Sequence, residues 1–232
     1  MNILGITLAR GGSKSVPKKN IKKINGVPLI GYTINEALKS KYLTNYIVST
    51  DDDDIARISQ EFGALVPFRR PPEFATDEAS SASALIHAVK QMEMLNNTTF
   101  DYVVELMATN PLKTVEDIDA SIELLIETGA DSVIAVHKLD DHHPARIKKI
   151  DNGFIRDFSV KETLESRRQD LRPFAYIRSG SIYALTRSHI MNDGMRYGSA
   201  NSKAYILPPE RVANIDTMDD FLLAEIKLKS AK

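Results

Sequence analysis

Short apolar runs alternate with segments of helical spacing through the first 138 residues, and this alternation constrains the fold more than any other feature. Residues 2–9 (NILGITLA) are apolar without strict alternation, which is typical of a strand buried on both faces. Further apolar runs occur at 44–50, 64–68, 102–108 and 131–138. Strands and helices joined by short links predict right-handed βαβ units. We therefore expect an α/β fold with three layers around a mostly parallel sheet.

Local signals predict where several helices begin and end. Pro28 stands at the start of the helical segment 28–40, and Thr114 begins a capping box with Asp117. The acidic run 51–54 is expected to cap a helix that ends at Gly63, because carboxylates near a helix start accept hydrogen bonds from its free N–H groups. The run lacks the glycine and the spacing of a calcium loop.

The composition limits the classes of function. Lysine plus arginine number 30 against 31 for aspartate plus glutamate, so the formal charge is −1 and a general nucleic-acid binder is not expected. The chain has no cysteine, which excludes disulfides, thiol nucleophiles and cysteine zinc sites. No apolar run approaches the roughly 18 residues of a membrane helix. We expect a cytoplasmic protein of one domain, residues 1–232, that binds neither nucleic acid nor membrane.

Residues 138–175 interrupt the alternation of strands and helices. This segment is charged and has no clear apolar stripe at helical spacing. It is therefore predicted to be an insertion, and its place in the chain suggests an arm that contacts a second subunit.

The stretch LARGGSKSVPKKN (8–20) follows the first strand directly. Ligands of parallel sheets bind beyond the carboxyl ends of the strands, which predicts that four segments meet at one edge. Gly11 and Gly12 are expected to turn with positive φ and expose N–H groups to an anion, with basic side chains beside them. The spacing fits neither of the common phosphate-loop motifs, so a solvated basic turn is the alternative. The four segments are 9–20, 50–54, 70–81 and 107–113, and the basic residues are Arg10, Lys14, Lys18 and Lys19.

Seven blocks of the chain, in order, resemble one enzyme family. They are ARGGSKSVPKKN (9–20), RPPEFATDEASSASALIHA (70–88), MATNPLKT (107–114), HHPAR (142–146), RRQDL (167–171), IRSGSIYAL (177–185) and NIDTMDDF (214–221). The chain resembles the cytidylyltransferases that activate nine-carbon and eight-carbon sugar acids, acylneuraminate cytidylyltransferases among them. The resemblance implies a nucleotide-diphospho-sugar transferase fold and a homodimer. It also implies transfer of CMP from CTP to the anomeric hydroxyl of a 2-keto sugar acid, with release of pyrophosphate.

The resemblance also assigns residues to the nucleotide. Arg10, Lys19 and Asp216 would be catalytic, with Arg10 and Lys19 stabilising charge in the transition state. Asp77 has an alternative role, since Asp77 or Ser80 could cap the helix that follows. The predicted nucleotide-binding residues are Arg10, Gly11, Gly12, Ser13, Lys14, Lys19, Asn20, Arg70, Asp77 and Ser81.

The family requires Mg²⁺ or Mn²⁺, and its metal motif is typically Asp-Ile-Asp-Thr. Here the motif has Asn214 in place of the first aspartate, with Asp216 retained. An amide oxygen still binds a hard cation, and alternate residues of an extended segment point the same way. Asn214 and Asp216 are therefore the predicted metal ligands. The alternative is that Asp216 or Thr217 caps the last helix.

On the sugar side, the chain departs further from the family pattern. Met107 stands where sialic-acid enzymes usually have a glutamine, while arginines suited to a carboxylate are retained. A changed acceptor is therefore expected, with N-acetylneuraminate, legionaminate and pseudaminate as candidates, and Arg168 could serve the site of the neighbouring subunit. Two rivals stay open, namely the same fold with another nucleotide such as GTP or a different sugar, and a catalytically inactive nucleotide-binding regulatory protein. The predicted sugar-binding residues are Met107, Thr109, Asn110, Arg146, Arg168, Arg178 and Ser179.

Overall fold

A six-stranded sheet forms the centre of the computed structural model, which describes residues 1–13, 15–139, 141–163 and 165–230. The predicted nucleotide ligand Lys14 lies outside the described residues. The strands are β1 (Ile3–Leu8), β2 (Lys23–Ile24), β3 (Val27–Pro28), β4 (Asn45–Ser49), β5 (Tyr102–Leu106), β6 (Ser132–Lys138), β7 (Lys148–Asp151), β8 (Phe154–Asp157), β9 (Tyr176–Thr186) and β10 (Ser202–Ile206). The helices are α1 (Leu29–Ala37), α2 (Asp53–Glu61), α3 (Ser81–Asn96), α4 (Val115–Thr128), α5 (Arg187–Asn192) and α6 (Met218–Ser230).

The sheet is mostly parallel, as predicted. Its strand order is β10-β6-β9-β5-β1-β4, and β1 pairs in parallel with both β4 and β5. The long strand β9 runs antiparallel to β5 and β6, and its register against β6 shifts between Ile134 and Val136. Because β1 lies inside the sheet and is covered on both faces, its apolar run needs no alternation.

Helices cover both faces of the sheet, which confirms the three layers. Ile34 of α1 and Ile122 of α4 belong to one buried apolar cluster, and Leu85 and Val89 of α3 belong to another. β1 contributes to both clusters, since successive side chains of a strand point to opposite faces. The core therefore lies on the two sides of the sheet and leaves the carboxyl ends of the strands free for loops.

The predicted helix ends are confirmed. The Asp52 Oδ1 accepts a hydrogen bond from the N–H of Ile55 at 2.9 Å, and Gly63 follows α2 with φ of 92°. The carboxylate of Asp117 accepts the N–H of Thr114 at 3.0 Å, as a capping box requires. The apolar run 64–68 forms only an isolated bridge to β4, through Leu65.

Residues 138–175 lie largely outside the main sheet. β7 and β8 pair in antiparallel orientation as a separate hairpin, with Ile150 opposite Ile155. Both side chains are exposed, at 72% and 67%, and Phe154 and Phe158 are exposed at 63% and 61%. We name the segment 141–163 the arm. An apolar surface of this kind on a short hairpin is typical of a protein contact.

A buried ion pair ties the segment after α5 to the sheet. Glu105 of β5 is 2% exposed, and its carboxylate accepts a hydrogen bond from Arg196 Nη1 at 2.7 Å. Burial raises the pKa of the Glu105 carboxyl, and the charge of Arg196 opposes that rise. The Arg196 guanidinium also lies over the ring of Tyr183, 4.8 Å from its centroid.

We expect Arg196→Met to lower the free energy of unfolding by about 3–5 kcal/mol, because a buried carboxylate loses its only charged partner among the described residues. Arg57→Met is the matched control. Arg57 forms an exposed i,i+4 pair with Glu61, and its loss should leave the free energy of unfolding close to that of wild type, because exposed ion pairs contribute little. Urea denaturation of the two variants measures the difference. Equal stabilities would contradict this assignment.

Candidate active site

A cavity of about 520 Å³ opens at the carboxyl end of β1. Side chains from three of the four segments predicted to meet there line it, together with Asp216 of the metal motif. The fourth segment, 50–54, does not line the cavity and packs against the loop after β1, where Asp51 Oδ1 accepts the N–H of Gly11. The predicted convergence is therefore confirmed for 9–20, 70–81 and 107–113. The lining residues are Leu8, Arg10, Ser13, Ser15, Val16, Lys19, Asn20, Arg70, Phe74, Thr76, Asp77, Ala79, Ser80, Ser81, Ala84, Thr109 and Asp216.

The glycines of the first loop serve a different purpose from the one predicted. Neither Gly11 nor Gly12 has positive φ, and Lys18 takes the left-handed conformation instead, with φ of 51°. Gly11 is needed for close approach, because a Cβ there would lie 2.6 Å from Asp52 Oδ2. Its N–H donates to Asp51 Oδ1 at 3.1 Å. The expectation of positive φ was wrong, since the acidic run after β4 packs directly against the loop.

Arg10 connects the first loop to the segment that precedes α3. Its Nη1 donates to the Thr76 carbonyl at 2.9 Å, and its Nη2 lies 2.8 Å from Asp77 Oδ1. The cap of α3 is Ser80, whose Oγ accepts the N–H of Ser83 at 3.0 Å. Asp77 is thus an anchor for Arg10, and Ser81 is the first residue of α3.

The buried side chains of Arg70 and Asn20 support the backbone that forms the cavity wall. Arg70 is 4% exposed, and its Nη2 donates to the Ser49 carbonyl at the end of β4, at 2.7 Å. Burial lowers the pKa of the Arg70 guanidinium, and the nearby carboxylate of Asp51 opposes that change. Asn20 is also buried, and its Nδ2 donates to the Arg10 carbonyl at 3.1 Å. Each therefore fixes the backbone at the end of a strand.

Lys19 contacts the predicted metal motif directly. Its Nζ donates to the Ile215 carbonyl at 2.7 Å and to Asp216 Oδ1 at 3.2 Å. The other carboxylate oxygen of Asp216 accepts from Asn214 Nδ2 at 2.8 Å, so the two predicted ligands lie side by side. The Asp216 side chain is 64% exposed, and that of Lys19 is 16% exposed.

The start of α6 is capped by other residues. The carboxylate of Asp220 accepts the N–H of Thr217 at 2.8 Å, and Thr217 Oγ1 accepts the N–H of Asp220 at 3.2 Å. Of the two residues proposed as the alternative helix cap, Thr217 therefore does cap α6, together with Asp220. Asp216 does not, and its carboxylate faces Lys19.

Two predicted sugar contacts, Asn110 and Ser179, have structural roles instead. Both are fully buried, with no exposed surface. The amide of Asn110 donates to the Arg211 carbonyl at 3.2 Å and accepts the N–H of Leu112 at 3.1 Å. Ser179 Oγ donates to the Ala135 carbonyl at 2.8 Å. Their polar groups pair with backbone. In this structure Asn110 holds a loop in place, Ser179 joins β9 to β6 at the shift in their register, and neither presents its polar group to a ligand.

The remaining sugar-side residues of the central fold lie at or near the cavity. Thr109 lines it, whereas the Met107 side chain packs against the apolar cluster of α3. The exposed Arg178 lies 4.0 Å from the ring centroid of Tyr197. Tyr197 lines an adjoining cavity of about 320 Å³, which shares Ser80 and Ser81 with the first.

The two predicted arginines of the insertion do not line the main cavity. Arg146 Nη2 donates to the Ser166 carbonyl at 3.1 Å. Arg168 lines a separate cavity of about 240 Å³, whose wall also includes Lys138, His143 and Arg172. Within one chain, the structure therefore keeps these arginines apart from Lys19 and Asp216.

We expect Gly180→Ala to lower turnover about tenfold, because it displaces Asn214. Gly180 has φ of 59°, and a Cβ there would lie 2.7 Å from Asn214 Oδ1. Gly129→Ala is the matched control, since Gly129 has the same φ of 59° and a Cβ there meets nothing within 4 Å. Both variants carry a backbone strain of about 1–2 kcal/mol, whereas only Gly180→Ala crowds the metal motif. Equal turnover in steady-state assays would argue against this role of Asn214.

Two buried charged groups behind the site, Glu105 and Lys113, were not predicted from the sequence. Glu105 interrupts the apolar run 102–108, and a lone charge in a buried strand indicates a hidden partner. Lys113 gave no such signal, because a lysine in a loop is ordinarily exposed. In the structure it is 2% exposed.

No cluster of three or more His, Cys, Asp or Glu side chains suited to a metal ion occurs among the described residues. In the same part of the chain, no helix has the length and apolar character needed to span a membrane.

Comparison with known proteins identifies the family. Residues 4–226 match the sequence profile of the family described as Cytidylyltransferase. The chain is 32% identical over 229 residues to the pseudaminic acid cytidylyltransferase of Campylobacter jejuni subsp. jejuni serotype O:23/36 (strain 81-176), which covers 99% of this chain and 97% of that protein. It is 31% identical over 227 residues to N-acylneuraminate cytidylyltransferase A of Danio rerio, covering 97% of this chain and 50% of that protein.

A solved structure shows the same fold. The CMP:2-keto-3-deoxy-manno-octonic acid synthetase complexed with CTP matches with a TM-score of 0.70 at 17% identity, covering 100% of this chain and 99% of that one. The fold, the profile match and the near full-length match to the Campylobacter relative agree with one another. This chain belongs to the cytidylyltransferase family.

Proposed function

We propose that this enzyme transfers CMP from CTP to the anomeric hydroxyl of a sialic-acid-like 2-keto sugar acid and releases pyrophosphate. The observation that carries the proposal is the contact between Lys19 and Asp216, which joins the basic loop to the metal motif at one cavity. The relatives named for pseudaminic acid and N-acylneuraminate support the acceptor class. The predicted residues Gly11, Gly12 and Ser13 lie on the loop between Arg10 and Lys19.

This reaction requires the protein mainly to position the two substrates and to supply positive charge. The sugar hydroxyl attacks the α-phosphorus, the bond from that phosphorus to the bridging oxygen breaks, and the hydroxyl proton is lost to solvent. Negative charge grows on the departing pyrophosphate. Arg10 and Lys19 line the cavity from one loop, and a fixed cation near a developing anion lowers the barrier without reorganisation.

The residues present fit Mg²⁺ or Mn²⁺. The exposed carboxylate of Asp216 offers a hard oxygen ligand. The amide of Asn214 lies beside it and here donates from Nδ2 to Asp216, so Asn214 would supply its oxygen to the ion after the amide turns over. Mg²⁺ is commonly held by one or two carboxylates together with substrate phosphates, so the described residues need no larger acidic cluster. When bound, the ion would neutralise charge on the phosphate oxygens. Lys19 would then orient the carboxylate of Asp216 from the other side.

The acceptor we propose first is pseudaminate, with legionaminate and N-acetylneuraminate as the alternatives. The near full-length relative named for pseudaminic acid supports this choice. Arg178 is exposed beside the adjoining cavity and suits a carboxylate, because a guanidinium binds carboxylates through two parallel hydrogen bonds. The cytoplasmic location stays a prediction from composition.

We also propose a homodimer in which the arm contacts a second copy. Ile150, Phe154, Ile155 and Phe158 give the arm an exposed apolar surface that association would bury. Arg168 of one copy would then face the sugar carboxylate bound by the other, with Arg146 nearby in the same insertion. Light scattering of Ile155→Lys tests the contact, with Lys149→Ala on the same hairpin as control. A wild-type monomer, or an unchanged mass for Ile155→Lys, would contradict the proposal.

Pyrophosphate release tests the reaction itself. The four ribonucleoside triphosphates are crossed with pseudaminate, legionaminate and N-acetylneuraminate, each with Mg²⁺ and with EDTA. We expect release with CTP alone, fastest with one sugar acid, and none with EDTA. Faster release with GTP would favour the rival nucleotide. CTP binding without turnover for any acceptor would favour the regulatory protein.

A further inference from the structure

Lys113 is buried behind the turn 107–110 and has a full set of hydrogen-bond acceptors. Its side chain is 2% exposed. The Nζ donates to Thr33 Oγ1 at 2.8 Å, to the Met107 carbonyl at 2.7 Å and to the Asn110 carbonyl at 2.6 Å. An ammonium group has three N–H bonds, so each is matched with one oxygen. The side chain therefore links α1 to both ends of the turn.

A role in proton transfer does not account for the buried position of Lys113. Burial lowers the pKa of Lys113 to about 7, while the carboxylates of Asp117 on α4 and Glu36 on α1 oppose that change. A pKa near neutrality suits a general base. However, Lys113 does not line the main cavity, and its amine is occupied by the three acceptors. Its position, and not its basicity, connects it to the reaction.

The turn that Lys113 supports holds the metal motif. The Thr109 carbonyl accepts the N–H of Ile215 at 3.0 Å. The Asn110 amide donates to the Arg211 carbonyl at 3.2 Å. Ile215 is fully buried, and its own carbonyl accepts the Lys19 Nζ. The segment 211–216 is thus attached to the turn at two points, and Lys19 is attached to that segment.

We propose that Lys113 is a positioning residue, whose ammonium group fixes the turn 107–110 and thereby sets where Asp216 and Lys19 stand in the cavity. The activity part of this inference rests on the proposed function, whereas its structural part does not. Loss of the ammonium would remove the donor of the buried Asn110 carbonyl and leave the Met107 carbonyl with only two longer contacts, at 3.5 Å, from the Thr33 hydroxyl and the Asn110 N–H. The turn would then shift or open, and the segment 211–216 would lose its support.

Hydrogen exchange in the metal-free protein provides a test that needs no turnover. For Lys113→Met, we expect exchange of the peptide 211–217 to be at least tenfold faster than in wild type. Arg187→Met is the matched control. The Arg187 side chain forms a part-buried pair with Glu93, and the Arg187 backbone N–H, which the substitution keeps, donates to the Asp101 carbonyl at the amino end of β5, away from the turn 107–110. The Arg187→Met variant should be less stable than wild type, but hydrogen exchange of its peptide 211–217 should be no faster than in wild type.

Kinetics gives the second readout. For Lys113→Met, the Mg²⁺ concentration for half-maximal turnover should rise at least fivefold, while metal-free CTP binding changes less than threefold. Lys113→Arg keeps a donor and should recover part of the loss in exchange protection. If Lys113→Met does not fold, Thr33→Val removes one acceptor and should speed exchange at 211–217 about threefold. Wild-type exchange at 211–217 in the folded variant would overturn the proposal, even if the wild-type enzyme proved to use other substrates.

Discussion

Lys19→Met is expected to lower kcat for pyrophosphate release by about 10²–10³-fold, the usual cost of removing one preorganised charge donor. The Lys19 Nζ is the cation that joins the loop to the metal motif, through the Ile215 carbonyl and Asp216. Methionine keeps most of the length of the side chain but provides no charge and no donor. Because the Ile215 carbonyl also loses a partner, stability should fall by about 1 kcal/mol.

Lys18→Met is the matched control for this experiment. Lys18 is the neighbouring residue and carries the same charge, but its side chain is 70% exposed and pairs with Asp54 outside the cavity lining. Its turnover should stay within about twofold of wild type, because exposed ion pairs contribute little. Steady-state rates at saturating CTP compare the two variants. If Lys19→Met retained a third or more of the wild-type rate, the role assigned to Lys19 would be wrong.

Asp216→Ala is expected to lower Mg²⁺-dependent turnover by about three orders of magnitude while the protein stays folded. The reason is that Asp216 supplies the carboxylate of the proposed metal site and also holds Lys19. Its side chain is 64% exposed, so removal should cost at most about 1 kcal/mol of stability. Thermal denaturation measures the stability, and a Mg²⁺ titration measures the metal requirement.

Asp219→Ala controls for the loss of one negative charge near the start of α6. Asp219 lies in the first turn of α6 and is exposed. Its turnover should match wild type within about twofold. An Asp216→Ala variant with most of its turnover would contradict the metal assignment. Faster turnover for Asp216→Ala than for Asp219→Ala would contradict it as well.

The loop 8–20 shows both the reach and the limit of sequence analysis. Its place after a buried strand was enough to predict a cavity at that edge of the sheet, because βαβ topology brings the carboxyl ends of parallel strands together. The roles of its glycines were not predictable. Gly11 is small because Asp52, 41 positions later, packs against it. Such a contact depends on how two distant loops fold over the sheet.

The sugar side shows the same limit more strongly. Asn110 and Ser179 stand within motif blocks, yet both are buried and bonded to backbone. The sequence does not distinguish a polar residue that faces a ligand from one that is buried and bonded to backbone. Only burial separates a group that binds a ligand from a group that holds the backbone.

The sequence by itself determined the α/β layers, the helix caps and most of the nucleotide-side residues that line the cavity, because these follow from local periodicity, capping chemistry and family motifs. The tertiary structure alone decided which polar groups are free. It placed Asp77 on Arg10, Asp216 on Lys19, and Lys113 beneath the turn that carries Thr109. The physical reason is that buried charges and polar groups must find partners, and those partners come from residues far away in the chain.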